Sequence, residues 1–200
     1  LEDWWASLNQ AWKDIFSRTI DLKNSPLPID LQKIADQFAI DLGQSISLGS
    51  LDPLNILYQL KELKMNGTQI ADLEPISGMH TLETLVLSNN PIEDLSMISG
   101  LYKLKHLDFK NTPVNDLEPI TGLVQLEVLD MAGTQIKKLN ELALLPKLRQ
   151  VSFYNTNIKS LSPLEGLQSL ELIKCYNTKL NSKKVNKFGE AHPNCEIIFY

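Results

Sequence analysis

A leucine recurs every 22 residues, at Leu60, Leu82, Leu104, Leu126, Leu148 and Leu170, without a single slip. Other columns keep the same phase. Three residues on stand Leu63, Leu85, Leu107, Leu129, Val151 and Ile173, and two further stand Met65, Leu87, Phe109, Met131, Phe153 and Cys175. A polar column follows (Thr68, Asn90, Thr112, Thr134, Thr156, Thr178), then an aliphatic one (Ile70, Ile92, Val114, Ile136, Ile158, Leu180). Leu73, Leu95, Leu117, Leu139 and Leu161 complete the frame. A unit of this length cannot bury its own apolar face, so the units must stack and share one core. The 35 leucines among 200 residues are therefore read mainly as a stacking code.

Within each unit the Leu-x-x-Leu-x-Leu stretch ends in period-two alternation, which predicts a short strand with its apolar side chains on one face. The following Asp-Leu-x-Pro-Ile segment spaces its apolar residues by three, which suits a 3₁₀ turn. Asp72, Asp94 and Asp116 precede that turn and can accept from its free amides. Proline in the first turn removes an amide that has no partner anyway. Stacking then predicts a parallel sheet on one side of a curved solenoid.

The stretch Leu104–Leu123, LKHLDFKNTPVNDLEPITGL, resembles the leucine-rich repeat family, specifically its 22-residue internalin-like class of bacterial cell-surface proteins. The resemblance covers residues 60–180, and more loosely 38–59. It departs from the family where the buried Asn after the strand is mostly Thr, with only Asn90 retained. The resemblance implies an α/β leucine-rich-repeat solenoid, a curved right-handed coil with a parallel β-sheet on its concave face. It also implies a non-catalytic protein-interaction role and favours a cell-surface or secreted location over a cytoplasmic one.

Solenoid ends expose core and need caps. Trp5, Leu8, Trp12, Ile15, Phe16 and Ile20 form one helical stripe, predicting a helix over 2–20 with a break near Asn9. The tryptophans are read as a capping face packed on the first coil, with a ligand box or partner helix as the alternative. Asn24 to Pro28 reads as a linker, and Asp30 as the cap of a second short helix reaching Gln37. Phe38, Ile40 and Leu42 are expected to supply the strand of a degenerate first coil, whose frame slips by about one residue. Residues 1–37 thus form the helical cap, 38–181 the repeats and 182–200 a helix-strand cap, all in one domain. For the last strand, alignment of Pro193 with Pro146 places Cys195, Ile198 and Tyr200 inward and Ile197 and Phe199 outward; the apolar run 197–200 leaves the opposite phase open. The chain is expected to be a monomer, although an unpaired apolar edge at 195–200 can seat a dimer contact or join further repeats.

The net charge of −5 argues against a nucleic-acid or anionic-membrane surface, and no apolar run reaches the ~18 residues of a membrane helix. From Leu1 onward no charged-then-apolar leader is evident, so a targeting peptide is expected to be absent or removed. The same aligned frame sets Cys175 and Cys195 about 16 Å apart, too far for a bridge, and both are read as buried free thiols. His80, His106 and His192 are scattered, and no metal-ligand spacing, phosphate loop or nucleophile elbow occurs. Asp108 and Asp130 share a column on adjacent strands, with His106 on the same face, which permits the sketch of a carboxylate pair or divalent-ion site. An open, shallow face makes a solvated binding surface the better reading. No enzyme activity and no cofactor are expected.

Three columns alternate with the core and point onto the concave sheet: Glu62, Thr84, His106, Val128, Gln150, Leu172; then Lys64, Val86, Asp108, Asp130, Ser152, Lys174; then Asn66, Ser88, Lys110, Ala132, Tyr154, Tyr176. They do not repeat although the core does. The candidate partner-binding residues are Val86, His106, Asp108, Val128, Asp130, Tyr154, Leu172, Lys174, Tyr176 and Phe199, whose apolar members gather toward the C-terminal half. The expected function is protein binding on this face; the alternatives are a regulatory subunit clasping an enzyme and a structural spacer in a longer surface protein.

Overall fold

A computed structural model describes residues 1–20, 26–43 and 48–199. The predicted strands form one eight-stranded parallel sheet in sequential order: β1 (Ala39–Asp41), β2 (Glu62–Lys64), β3 (Thr84–Val86), β4 (His106–Asp108), β5 (Val128–Asp130), β6 (Gln150–Ser152), β7 (Leu172–Lys174) and β8 (Glu196–Ile198). From β2 to β7 the register advances by 22 residues per strand, Leu63 pairing with Leu85 and so on to Ile173. Ile40 pairs with Leu63, a step of one residue more, which is the expected slip in the first coil. Each chain segment returns through a 3₁₀ turn, at Asp52–Ile56, Glu74–Ile76, Ser96–Ile98, Glu118–Ile120, Asn140–Leu144 and Ser162–Leu164. Asp72, Asp94 and Asp116 accept the backbone N–H of Glu74, Ser96 and Glu118, at 2.9, 2.8 and 3.0 Å.

All described leucines except Leu1, Leu27, Leu144 and Leu172 are buried in one continuous core. The polar column is buried from Thr68 to Thr156, and each Thr hydroxyl donates to a carbonyl three residues back, as Thr112 does to Phe109 at 2.6 Å. Asn90 does more: its amide donates to Leu87 O in its own coil and to Met65 O in the preceding one, while its Oδ1 accepts from the Thr68 hydroxyl. A second column is invisible to hydrophobicity. Gly67, Asn89, Asn111, Gly133, Asn155 and Asn177 all hold positive φ, where glycine and asparagine carry the least strain. Asn111 donates to Asn89 and Asn177 to Asn155 across coils. Gly133 leaves room for the Asn111 carboxamide, which a Cβ there would displace.

Outside the core, Lys61, Glu83, Lys105, Glu127, Arg149 and Glu171 form a column of alternating charge. Glu83 lies 2.6 Å from Lys105 and 3.9 Å from Lys61, and Arg149 lies 2.7 Å from Glu171. The Lys105 ammonium holds the Glu83 carboxyl below its ordinary pKa.

The N-terminal helix is broken at Leu8–Asn9, giving α1 (Glu2–Ser7) and α2 (Gln10–Ile20). The Asn9 carboxamide oxygen accepts Trp12 N–H and so starts α2. Trp12 is fully buried, stacks on Phe16 and donates its indole N–H to Ser50 O; Trp4 donates likewise to Pro53 O. The tryptophans are thus bound to the first coil, as a cap requires. α3 runs from Pro28 to Ala35, beginning three residues and ending two residues earlier than expected. Asp30 is therefore its third residue, and its carboxylate reaches back to Leu27 N–H. Asn24 and Ser25 of the expected linker lie outside the described residues.

Two further expectations are corrected. Phe38 is 54% exposed; it lies ahead of β1, with the Lys61 ammonium 5.8 Å from its ring, and only Ile40 and Leu42 enter the core. At the C-terminus α4 (Ser182–Ala191) buries Val185 and Phe188, and Asn181 caps it, as its position after the last repeat requires. β8, however, takes the opposite phase to the Pro193 alignment. Ile197 pairs with Ile173, so Glu196 and Ile198 share the outward rows of Leu172 and Lys174. The step into β8 is 24 residues, one fewer than the 25 that the proline alignment implies, and a shift of one residue flips every side chain of the strand. Cys195 thus lies at the level of Glu171 and not Leu170; both cysteines are free and buried. Tyr200 lies outside the described residues.

Replacing Asn90 by Ala strands the buried Leu87 carbonyl and removes one of the two donors to the Met65 carbonyl of the preceding coil. In urea denaturation Asn90→Ala is expected to cost about 3 kcal/mol, and Asn90→Thr distinctly less, because a hydroxyl recovers the local carbonyl as the other coils do.

Candidate functional site

The outward positions of β2–β7 are the expected ones. Thr84, His106, Val128, Gln150 and Leu172 stand side by side in one row, and Val86, Asp108, Asp130, Ser152 and Lys174 in the next. Parallel neighbours are about 4.8 Å apart, so each row is a continuous line of side chains. The third row is less open than expected. Ser88 and Ala132 are buried, leaving Lys110, Tyr154 and Tyr176 as its prominent members in the C-terminal half. Phe199 does not join this face. The phase of β8 turns it to the core side, where it packs against buried residues.

The structure brings Tyr154 and Tyr176 together as a stacked pair, with ring centroids 4.5 Å apart and planes within 10°. The stack follows from the 22-residue step: both residues occupy one position in adjacent coils, each directly after a buried residue, Phe153 or Cys175. Burial pushes the Tyr154 phenol above its ordinary pKa, and the Asp130 carboxylate and Tyr176 add to this against the pull of Lys110. The hydroxyl is thus held protonated, a donor on an otherwise aromatic surface.

Charged groups border the pair. Asp108 and Asp130 are register partners; Asp108 accepts Lys110 N–H at 2.9 Å and lies 3.4 Å from the Lys110 ammonium. Asp130 accepts Ala132 N–H at 3.1 Å. Burial raises the Asp130 carboxyl, with the Asp108 charge adding to it, while the Ala132 amide, Lys110 and Lys174 oppose the shift. Both aspartates spend one oxygen on their own strand end. Among the described residues no group of three or more His, Cys, Asp or Glu is arranged to hold a metal ion. His106 is exposed. The remaining histidine with a defined role is structural: His192 stacks on Phe188 at 4.1 Å, with each ring nitrogen 3.1 Å from a backbone oxygen, of Phe188 and Glu165. Burial pushes the thiols of Cys175 and Cys195 up to about 12 and about 11, which suppresses the nucleophilic thiolate. No described helix is long and apolar enough to cross a membrane.

The aromatic stack itself was missed by reasoning on columns one at a time; two tyrosines exactly one period apart are the signal that reveals it.

Comparison with known proteins places this geometry. The family described as leucine-rich repeats (two copies) matches residues 58–102, 80–122 and 102–144. A search of curated proteins gives no significant match. Among solved structures, internalin C2 from Listeria monocytogenes is similar at TM-score 0.83 and 20% identity, covering 96% of this chain and 93% of that one. Internalin F from the same species gives TM-score 0.72 and 22% identity over 86% of this chain and 57% of that one. A leucine-rich-repeat protein of Leptospira interrogans gives TM-score 0.67 and 18% identity over 86% and 51%. The chain therefore spans only about half the length of these last two. The fold is an internalin-like leucine-rich-repeat solenoid, and such folds generally serve as non-catalytic protein-interaction modules.

A carboxyl raised by burial binds its proton more tightly in the folded state, so ionised Asp130 opposes folding at neutral pH, and the penalty vanishes as pH falls below the ordinary carboxylate value. Asp130→Asn is accordingly expected to raise the Tm at neutral pH and to leave it unchanged in acid, read by thermal unfolding across a pH series.

Proposed function

We propose that this protein is a non-catalytic binding module that receives a protein partner on its concave sheet, centred on the Tyr154–Tyr176 stack. One observation carries the reading: two aromatic rings, stacked at 4.5 Å and partly exposed, are held on a rigid sheet beside Lys110, Asp130 and Lys174. An amphipathic aromatic centre within a polar surround is the usual anatomy of a binding hot spot. The rings are immobilised before any partner arrives, because each sits at a fixed place in its coil. That lowers the side-chain ordering cost of association.

The non-repeating rows support the same reading. Stacking dictates Leu107, Leu129, Val151 and Ile173 behind the face, but leaves His106, Val128, Gln150 and Leu172 in front of them unconstrained. Leu172 is the described leucine that a strand turns outward, next to Lys174 and the tyrosines. Val86, His106 and Asp108 extend the surface toward the N-terminal coils and supply a polar margin.

Affinity capture of partners with the wild-type chain, followed by binding measurements on Tyr154→Ala/Tyr176→Ala, tests the proposal. The expected result is a loss of affinity of at least about tenfold with the thermal melt of the solenoid intact. Unchanged binding by the folded double variant overturns it.

A further inference from the structure

The concave face does not account for the charge distribution. Up to residue 136 nine Lys and Arg stand against nineteen Asp and Glu; from 137 onward ten stand against five. The fold concentrates this reversal on one edge, where the chain leaves the strands for the 3₁₀ turns. In the coils of β2, β3 and β4 the position before the turn is Asp72, Asp94 or Asp116, which accepts a turn amide. One coil on, the same position is Lys138, which has no acceptor to offer. Local structure forgoes a cap there, and such departures from local preference are where function is sought.

The lysines enclose space. Lys137, Lys138, Lys159 and Lys179, from the coils of β5, β6 and β7, line a groove of about 590 Å³ with Leu139 and Pro163, and no carboxylate is among its lining residues. Its walls are mostly apolar, as lysine stems over a leucine and a proline provide. None of the four ammonium groups takes part in an ion pair among the described residues. All four residues are exposed. The Lys184 ammonium donates to Lys159 O at 2.8 Å, tying the start of α4 to the groove, and an adjoining hollow is lined by Lys184, Lys187 and Glu165.

We propose that this groove is a second binding site, taking an acidic peptide segment of a protein partner around one apolar side chain. Four unpaired ammonium groups attract carboxylates, and their spread over three coils matches an extended segment better than a point charge. The apolar walls give the assignment its second half. Phosphate or a bare polyanion gains nothing from hydrocarbon walls, whereas a peptide with an aliphatic residue between its acids fills them. The groove shares no lining residue with the strand rows or the tyrosine stack of the concave face.

The test is fluorescence anisotropy of a short fluorescein-labelled peptide of glutamates around a single central leucine, titrated with the full chain. Saturable binding is expected, weakening severalfold when salt is raised from about 50 to about 300 mM. Lys137→Glu/Lys159→Glu is expected to lower affinity at least about tenfold, and Lys137→Gln/Lys159→Gln by a smaller factor, both with an unchanged thermal melt. Replacing the peptide's leucine by glycine is expected to weaken binding severalfold, while Tyr154→Ala/Tyr176→Ala leaves it unaltered. Absence of saturable binding, or equal binding by the charge-reversed chain, overturns the site. Indifference to the leucine overturns the peptide assignment in favour of general polyanion attraction. Loss in the tyrosine variant places the peptide on the concave face and overturns the groove.

Discussion

A coil of this protein completes its backbone hydrogen bonds only through the coils on either side of it, and the bonds to the coil that follows close the strand ends. Met65 N–H donates to Val86 O, Leu87 to Asp108 O, Phe109 to Asp130 O, Met131 to Ser152 O, Phe153 to Lys174 O and Cys175 to Ile198 O. The donor is always the buried residue just past the strand, where an unpaired amide would be costly. Everything else answers to this rule. The core columns exist because the coils must sit in register, and the caps exist because two coils lack a neighbour. At one end Trp4 and Trp12 seal the first coil with indole N–H groups; at the other β8 supplies the carbonyl that Cys175 needs.

The same rule decides what was legible in the sequence. Core positions repeat because stacking leaves them few choices, so the strands from Glu62 to Lys174 and the Asp-capped turns could be read directly from spacing. Where the step departs from 22 residues, spacing fails. Phe38 is expected to supply the first strand with Ile40 and Leu42, yet the 23-residue step sets it level with exposed Lys61 and outside the core. β8 was placed by aligning two prolines, but α4 replaces the usual return and lengthens the step to 24. An all-apolar 197–199 offers no alternation with which to correct it.

The candidate sites show a parallel division. The rows of Val128, Asp130 and Lys174 could be enumerated because they lie between core positions, but enumeration treats each residue singly. The contact of Tyr154 with Tyr176 and the burial of Ala132 emerge only when neighbouring coils are superposed. The lysine groove was hidden for another reason: a net charge of −5 averages over two opposite ends, and its four lysines come from three different coils.

The alternating column from Lys61 to Glu171 has a consequence for how such a solenoid can change length. Its exposed pairs add little stability singly. Their order nevertheless gives the stack a parity. Removal or duplication of a single coil would lay lysine against lysine or glutamate against glutamate, whereas gain or loss of two coils keeps every unlike neighbour in place. The left-handed column keeps a different count: glycine stands at every third coil, Gly67 and Gly133, and the asparagines that follow each bond two by two, Asn89 with Asn111 and Asn155 with Asn177. For the charged column the step that preserves unlike neighbours is two coils, 44 residues, whereas the left-handed column returns to glycine only after three.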